Sequence, residues 1–491
     1  MFKTFLNKDN RKYLAVIAFL LIPYLGIDWG MDNDTWFILN HGKYVLEHGI
    51  PHIEPFTVHS NLHFVMQQWM SAVLYFLVHY IFGRAGLLAL VVMLFTLTNI
   101  LIYKICMTVS DNNFYVSVGI LFLIEVALCR NFVARPATIS IVLLAIDIFI
   151  YEKYMKTQNW KYLAVLPVIS CLWSNLHASM WMIQFIALLP FIVNSFKLEI
   201  GPIKSEGCKK KPILIAVICM IIAGFINPYG YEAPGYVIGS YGIKLINQNI
   251  SEMGALSITE MNDLISFMLI IIVLITVIVY KKGNFEVRHI LLLLGFGYMA
   301  MSARRNVFLF ATGAIYSLAY YLKDFDFEAF AQKINGNSSD NQKKNLVIRR
   351  ALIVLIVLAI AFAMVQRQKN MVVYPDCKQA VDYLEKNVKD KEHKNVYVGF
   401  NDGSYLEYRG FRCYIDPRAE VFLKSKNGKE NIFEEYIGIK NGLIDYKNFL
   451  KKYDFDYLLV TPSEALYYVL DYESDYEVMY EDDAYKLYKK K

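Results

Sequence analysis

Between residues 28 and 69 a largely apolar chain carries Asp28, Asp32, Asn33 and Asp34, then Glu54, and ends on Gln67-Gln68-Trp69. Carboxylates gathered directly after an apolar run have little structural reason to be there. They can take a proton from a nucleophile or hold a divalent cation. A second set of polar residues interrupts later apolar runs: Arg130-Asn131, Arg135-Pro136, Asn175-Leu-His177, Asn227-Pro-Tyr229-Gly230 and Arg304-Arg305-Asn306. Guanidinium forks match phosphate oxygens, so this set suits an anionic group. Each residue also has a plainer reading. Asp34 can cap the helix it precedes, arginines at helix ends can anchor at the lipid surface, and His177 can be satisfied within a helix end.

The elements that would position these residues are apolar helices. Of the 491 residues 56% are hydrophobic, in long blocks with a positive mean hydropathy, which fits a multispanning membrane protein. A span needs about 20 apolar residues at roughly 1.5 Å each. Eleven runs are expected to serve: 13–27, 86–105, 114–132, 137–152, 162–176, 178–196, 212–227, 264–280, 287–303, 305–322 and 347–366. The first follows Lys3, Lys8, Arg11 and Lys12 and reads as a retained signal anchor. Met70–Phe82 is too short for a span and is expected at the interface. With that assignment the clusters Lys153/Lys156/Lys161, Lys204/Lys209/Lys210/Lys211 and Lys281/Lys282/Arg288 fall on the cytoplasmic side with the N-terminus. Every polar cluster named above falls on the other side, which argues for one shared cavity. The mid-helix positions read as almost wholly apolar.

The expected fold class is therefore an α-helical polytopic membrane protein with a small extracytoplasmic α/β domain, divided at 1–370 and 371–491. The first outer loop is 28–69, a second is 228–263, and 323–346 is a cytoplasmic linker. The net charge of +6 splits into about +10 for the membrane part and −4 for the tail, a basic excess suited to anionic lipid and not to nucleic acid. No metal-type spacing joins the seven cysteines, and no nucleotide-binding glycine loop occurs. In the tail, 376–387 reads as helix; 395–400, 404–408 and 412–416 read as strands, and 476–480 pairs with 484–488 across Glu481-Asp-Asp483. Asp416-Pro-Arg418 and Glu420 either close over the membrane site or form a structural pair.

Taken together, Asp32-Asn-Asp34-Thr-Trp36, Gly49-Ile-Pro51, Glu54-Pro-Phe, Gln68-Trp69, Trp173-Ser-Asn175-Leu-His177, Asn227-Pro-Tyr-Gly230 and Ile415-Asp-Pro-Arg418 resemble the polyprenyl-phosphate-dependent membrane glycosyltransferases of the GT-C superfamily. The resemblance covers nearly the whole chain. It implies that Asp32 and Asp34 form the acidic motif of the first outer loop. Two departures are visible: Arg130 to Arg135 stand where the second outer loop usually has an acidic residue, and Glu54 stands where an aspartate is usual.

Such an enzyme would move a sugar from a polyprenyl-phosphate donor to a glycan, lipid or protein acceptor at the outer face of the cell membrane. Asp34 or Asp32 would act as base, and Arg130, Arg135, His177, Arg304 and Arg305 would hold the donor phosphate. Glu54, Gln68, Trp69, Asn175 and Tyr229 are expected to contact substrate. Mg2+ or Mn2+ fits between Asp32, Asp34 and phosphate on oxygen-ligand grounds. The competing classes are a non-catalytic envelope-assembly protein and a lipid or polysaccharide transporter, the latter disfavoured by the apolar mid-helix positions.

Overall fold

The computed structural model describes residues 16–238, 242–280, 284–326, 355, 358–366 and 373–491. The basic N-terminal residues, Lys281 and Lys282, nearly all of the expected linker and much of the 347–366 run lie outside them. Among the described residues three helices are long and apolar enough to cross a membrane: Trp69–Val109, Phe114–Asn131 and Met261–Tyr280. The other described runs form shorter or interrupted helices. Val16–Gly26, Leu163–Leu176, Ala178–Asn194 and Val287–Ser302 are apolar but fall below that length. Pro136–Thr157 has 22 residues but carries Asp147, Glu152, Lys153 and Lys156.

Along Met261–Tyr280 the exposed side chains include Ile265, Met268, Ile272, Ile275 and Val279. Their spacing of three and four residues makes one aliphatic stripe. Lys210–Gly224 exposes Leu214, Ile215, Ile218 and Ile222 in the same way. Continuous apolar surface of this kind belongs against lipid.

The run at 70–82 is helical and joins the following span across a break at Gly83, whose φ of 61° and ψ of −156° are open to glycine and strained for other residues. Tyr80, Ile81 and Phe82 beside the break are exposed. Across this helix lies Asn33–His48, and the contact depends on Gly42: a Cβ there would stand 2.1 Å from the Ala72 carbonyl oxygen. The helix expected after Asp34 is thus present and runs unbroken to His48.

At the opposite ends of the helices the basic residues converge. Lys156 and Lys323 both reach Asp111 at 3.2 Å, which joins the ends of the Trp69–Val109 and Pro136–Thr157 helices. Here too lies a small sheet, β1 (Leu198–Ile200) antiparallel to β2 (Ile203–Ser205) and β2 parallel to β3 (Phe285–Glu286). The bundle is not apolar throughout. Glu125, Asp147, Glu152 and His289 are buried, and Arg288 binds Glu152 at 3.3 Å. Isolated acids inside apolar runs are hidden from a window average, which is why the mid-helix positions read as apolar.

The C-terminal region forms a five-stranded sheet in the order β5-β4-β6-β8-β7. β4 (Asn395–Tyr397) lies parallel to β5 (Arg412–Cys413) and to β6 (Tyr457–Val460); β8 (Lys486–Lys490) runs antiparallel to β6 and to β7 (Tyr476–Glu481). The expected hairpin of 476–480 with 484–488 is present. Residues 404–408, expected as strand, are the helix Gly403–Tyr408. Gly403 sits so close that a Cβ would meet the Ile415 carbonyl oxygen at 1.9 Å, and this contact outweighs the β propensity of the tyrosines.

The C-terminal sheet is fastened directly to the first loop. Val58 donates its amide to the Cys413 carbonyl at 2.9 Å, and Arg412 Nη2 donates to the Thr57 carbonyl at 3.0 Å. His59 meets the Tyr414 carbonyl at 2.8 Å, and Trp36 packs among Tyr374, Tyr405 and Tyr408.

Candidate active site

A cavity of about 420 Å³ lies where the first loop, the 246–253 segment and the C-terminal region meet. A second, of about 360 Å³, adjoins it toward the bundle. Asp34, Gln68, Arg135, His177, Glu252 and Arg305 line both, so they stand at the junction. Beyond them the inner chamber is walled in one part by Ile38, Val133, Pro136, Ile141 and Phe308 and in another by Asp28, Asp32, Arg130 and Asn131, a mixed lining.

The helix start at residue 33 explains how the two aspartates divide their work. Asp32 is its N-cap: Oδ1 accepts from the Thr35 amide and the Thr35 hydroxyl, both at 2.9 Å. Asp34, inside the first turn, makes no such bond and turns its carboxyl to the junction. The capping role that competed with catalysis at Asp34 therefore falls to Asp32.

Arg135 joins both acids. It precedes Pro136, which holds it extended at the head of the Pro136–Thr157 helix. Its Nε donates to Asp32 Oδ2 at 2.6 Å, and its Nη1 lies 2.9 Å from Asp34 Oδ2 and 3.8 Å from Glu252 Oε2. The guanidinium thus sits where Mg2+ or Mn2+ would bridge the aspartates. Among the described residues no three His, Cys, Asp or Glu side chains gather as a metal site. The arrangement does not fit the expected cation, because its charge is already supplied.

Burial is the main force on Asp34, and with the charges of Asp32, Glu252 and Glu420 it overcomes the pull of Arg135 and pushes the carboxyl up to about 7. Such a group changes protonation near neutrality. If it is the base, kcat/KM should rise with pH along a limb centred near 7, and Glu252→Gln, which removes one raising charge, should move that limb to lower pH. A limb unmoved by the substitution would remove Glu252 from the electrostatics of the site. The same shift has a cost in stability: the folded carboxyl holds its proton above the ordinary 3.8, so stability falls as pH rises from about 4 to 7.

His177 ends the Leu166–Leu176 helix, and burial with the nearby Arg305 pushes it down to about 3, so it is neutral. Ser140 accepts from Trp173 Nε1 at 3.0 Å and hydrogen-bonds His177 Nδ1 at 2.8 Å. In the tautomer where the Ser140 hydroxyl donates there, Nε2 carries the imidazole proton.

The adjacent arginines 304 and 305 separate. Arg304 Nε donates to Asp263 at 2.7 Å and Nη1 to the Ser251 carbonyl at 2.8 Å, so it pins the loop that carries Glu252. Arg305, in the same 3-10 turn, lines both chambers, and among the described residues no carboxylate lies within ion-pairing distance of it.

Four expected substrate contacts lie outside the cavity. Trp69 Nε1 donates to Asn175 Oδ1 at 3.0 Å, and the Asn175 amide donates to the Ile226 carbonyl at 2.8 Å. Tyr229 is buried with its hydroxyl on the Pro51 carbonyl at 2.8 Å. Glu54 is buried too: Oε1 accepts from the Phe56 amide and Arg418 Nη2, both at 2.9 Å, and Oε2 accepts from the Thr57 amide at 3.0 Å and hydroxyl at 2.6 Å. Of that group only Gln68 lines the cavity. Asp416 and Arg418 form the structural pair, Arg418 also lines the main chamber, and Glu420 beside it accepts from Gln67 Nε2 at 3.3 Å.

The structure as a whole is similar to several solved membrane proteins. The oligosaccharyltransferase of Archaeoglobus fulgidus, solved tethered to an acceptor peptide, superposes with a TM-score of 0.62 at 13% identity, over 93% of this chain and 70% of that one. ArnT from Cupriavidus metallidurans, bound to undecaprenyl phosphate, gives 0.57 at 10% identity over 98% of each chain. The chain has the GT-C fold. A third GT-C structure, the mycobacterial arabinofuranosyltransferase AftD, gives 0.53 at 10% identity over 98% of this chain and 41% of its own. No family model matches the sequence, and no curated protein does. The GT-C fold accounts for the apolar bundle carrying polar loops at one end and a strand-containing C-terminal region above them.

Proposed function

We propose that the protein is a membrane glycosyltransferase that moves a sugar from a polyprenyl-phosphate donor to an envelope acceptor at the extracytoplasmic face. The observation that carries this reading is the junction itself, where the Asp34 carboxyl, pushed up to about 7, shares two chambers with Arg305, which has no carboxylate within ion-pairing distance among the described residues. The aliphatic and aromatic part of the inner chamber suits the first units of the polyprenyl chain, with its phosphate at Arg305 and Arg130. That the GT-C structure of ArnT was solved with undecaprenyl phosphate supports such a donor.

Asp34 takes the proton of the acceptor hydroxyl as its oxygen attacks the sugar C1. The bond from C1 to the phosphate oxygen breaks and the electron pair leaves on the phosphate, in one displacement with inversion. Arg305 and the Nε2–H of His177 meet the charge that develops there. Arg135 orients both aspartates.

Purified protein in lipid nanodiscs, given labelled polyprenyl-phosphate sugars, is expected to release polyprenyl phosphate. Arg305→Gln should raise the donor KM, since a hydrogen bond to a charged group is worth about 1.5–3 kcal/mol, roughly 10- to 100-fold. Absence of turnover with every donor would favour the non-catalytic assembly reading. An unchanged donor KM in Arg305→Gln would move the phosphate to Arg130.

A further inference from the structure

A third cavity, of about 320 Å³, lies within the C-terminal region and shares Asn33, Phe400 and Asn401 with the main chamber. We infer that this cavity is the acceptor subsite and that the acceptor it takes is a hydroxyl-rich saccharide. The inference rests on the transferase reading, because it is Asp34 in the neighbouring chamber that would deprotonate the hydroxyl so presented.

The lining chemistry selects the ligand class. Asp376, Asp402, Glu464, Thr461, Ser463 and Tyr436 supply carboxyl and hydroxyl groups from six positions, and the apolar wall is Pro375 and Phe400 with the tyrosine rings. An acyl chain would find too little apolar surface here, and a bound sugar would find a ring at Phe400 and hydrogen-bonding groups around it. The volume lies within the range of small-molecule sites, about 300–1,000 Å³. Gly399 keeps it open: a Cβ would stand 3.0 Å from Glu464 Oε1, 3.7 Å from the Tyr436 hydroxyl and 3.9 Å from Asp402 Oδ2. One small position therefore faces all three polar groups.

Two of the acids already accept from hydroxyl groups. Glu464 is buried, with Oε2 accepting from the Tyr397 hydroxyl at 2.9 Å, and Asp402 accepts from the Tyr485 hydroxyl at 3.2 Å. Burial pushes Asp402 up to about 6 and Glu464 to about 7. Near neutrality they alternate between donor and acceptor, which suits sugar hydroxyls that do both. Lys440 lines the same wall and offsets their charge.

The test uses the full chain in nanodiscs and saturation-transfer NMR with the methyl glycosides of glucose, galactose, mannose and N-acetylglucosamine, with a serine-rich hexapeptide as the competing class. At least one glycoside should bind saturably. Its affinity should fall tenfold or more in Gly399→Val and in the shape-preserving pair Asp402→Asn with Glu464→Gln, and persist in Asp34→Asn. Should Gly399→Val fail to fold, the double variant decides alone. Binding by none of the glycosides, binding by the peptide alone, or glycoside binding indifferent to both variants would overturn the subsite. The two readings fail separately. Glycoside binding that depends on Gly399 in a protein that turns over no donor would overturn the transferase and keep the subsite; normal transfer in Gly399→Val would do the reverse.

Discussion

Asp34→Asn should abolish sugar transfer while the protein keeps its fold. A positioned base contributes typically on the order of 10²–10⁴ in rate, and asparagine cannot accept the acceptor's proton. The fold is expected to hold because the helix cap belongs to Asp32, whose Oδ1 takes the Thr35 amide, so the exchange at Asp34 removes no capping bond. It does remove one partner of Arg135, which still keeps Asp32. Side by side, turnover of a labelled donor and thermal unfolding in the same nanodiscs measure the two effects. Full activity in Asp34→Asn would exclude the residue as base and shift the role to Asp32. A large fall in melting temperature would show that Asp34 is structural.

Glu54→Ala should be the most damaging substitution for stability outside the helical core. Arg418 is almost wholly buried between the Phe56 and Phe64 rings, 5.2 Å from each centroid, with Asp416 and Glu54 as its ionic partners and His41 Nε2 at 3.3 Å. Glu407 lies farther off, at 3.9 Å, and burial holds its carboxyl well above the usual range, so it contributes little charge. Removing Glu54 leaves Arg418 on Asp416 and strips away a charge-assisted hydrogen bond worth about 1.5–3 kcal/mol. The alanine also leaves the Phe56 and Thr57 amides without their acceptor. Glu54→Gln should cost less, because the amide oxygen can still accept from one of them. Limited proteolysis should cut the C-terminal region of Glu54→Ala sooner than that of the wild type. Equal cleavage rates and equal melting temperatures would mean that Glu54 does not fasten the two parts.

What the sequence made legible follows from where polar residues interrupt apolar runs. Asp32, Asp34, Arg130, Arg135 and His177 each sit at such an interruption, and the structure brings them to the wall of one chamber. Neighbours in sequence were harder to separate. Nothing in Arg304-Arg305 says which side chain faces the cavity, because a single 3-10 turn sends one to Asp263 and leaves the other in the chambers. Glu252 and Glu420 come from distant segments, and only the folding of the 246–253 and 417–421 stretches onto the first loop gives them a place in the wall. Glu54 misled for the opposite reason. A polar residue in a loop with prolines looks available, yet its four acceptor bonds are all internal.

The wall of the main chamber is built from residues near 34, 135, 177, 252, 305 and 400–421. The ribosome delivers these in order, so the acidic loop is synthesised and inserted long before Asn401, Arg418 and Glu420 exist. Until they arrive, Glu54 lacks its arginine and the chamber has an open side. Translation therefore sets the moment at which the site is completed, and a chain halted before residue 400 holds its aspartates without the enclosure that tunes them.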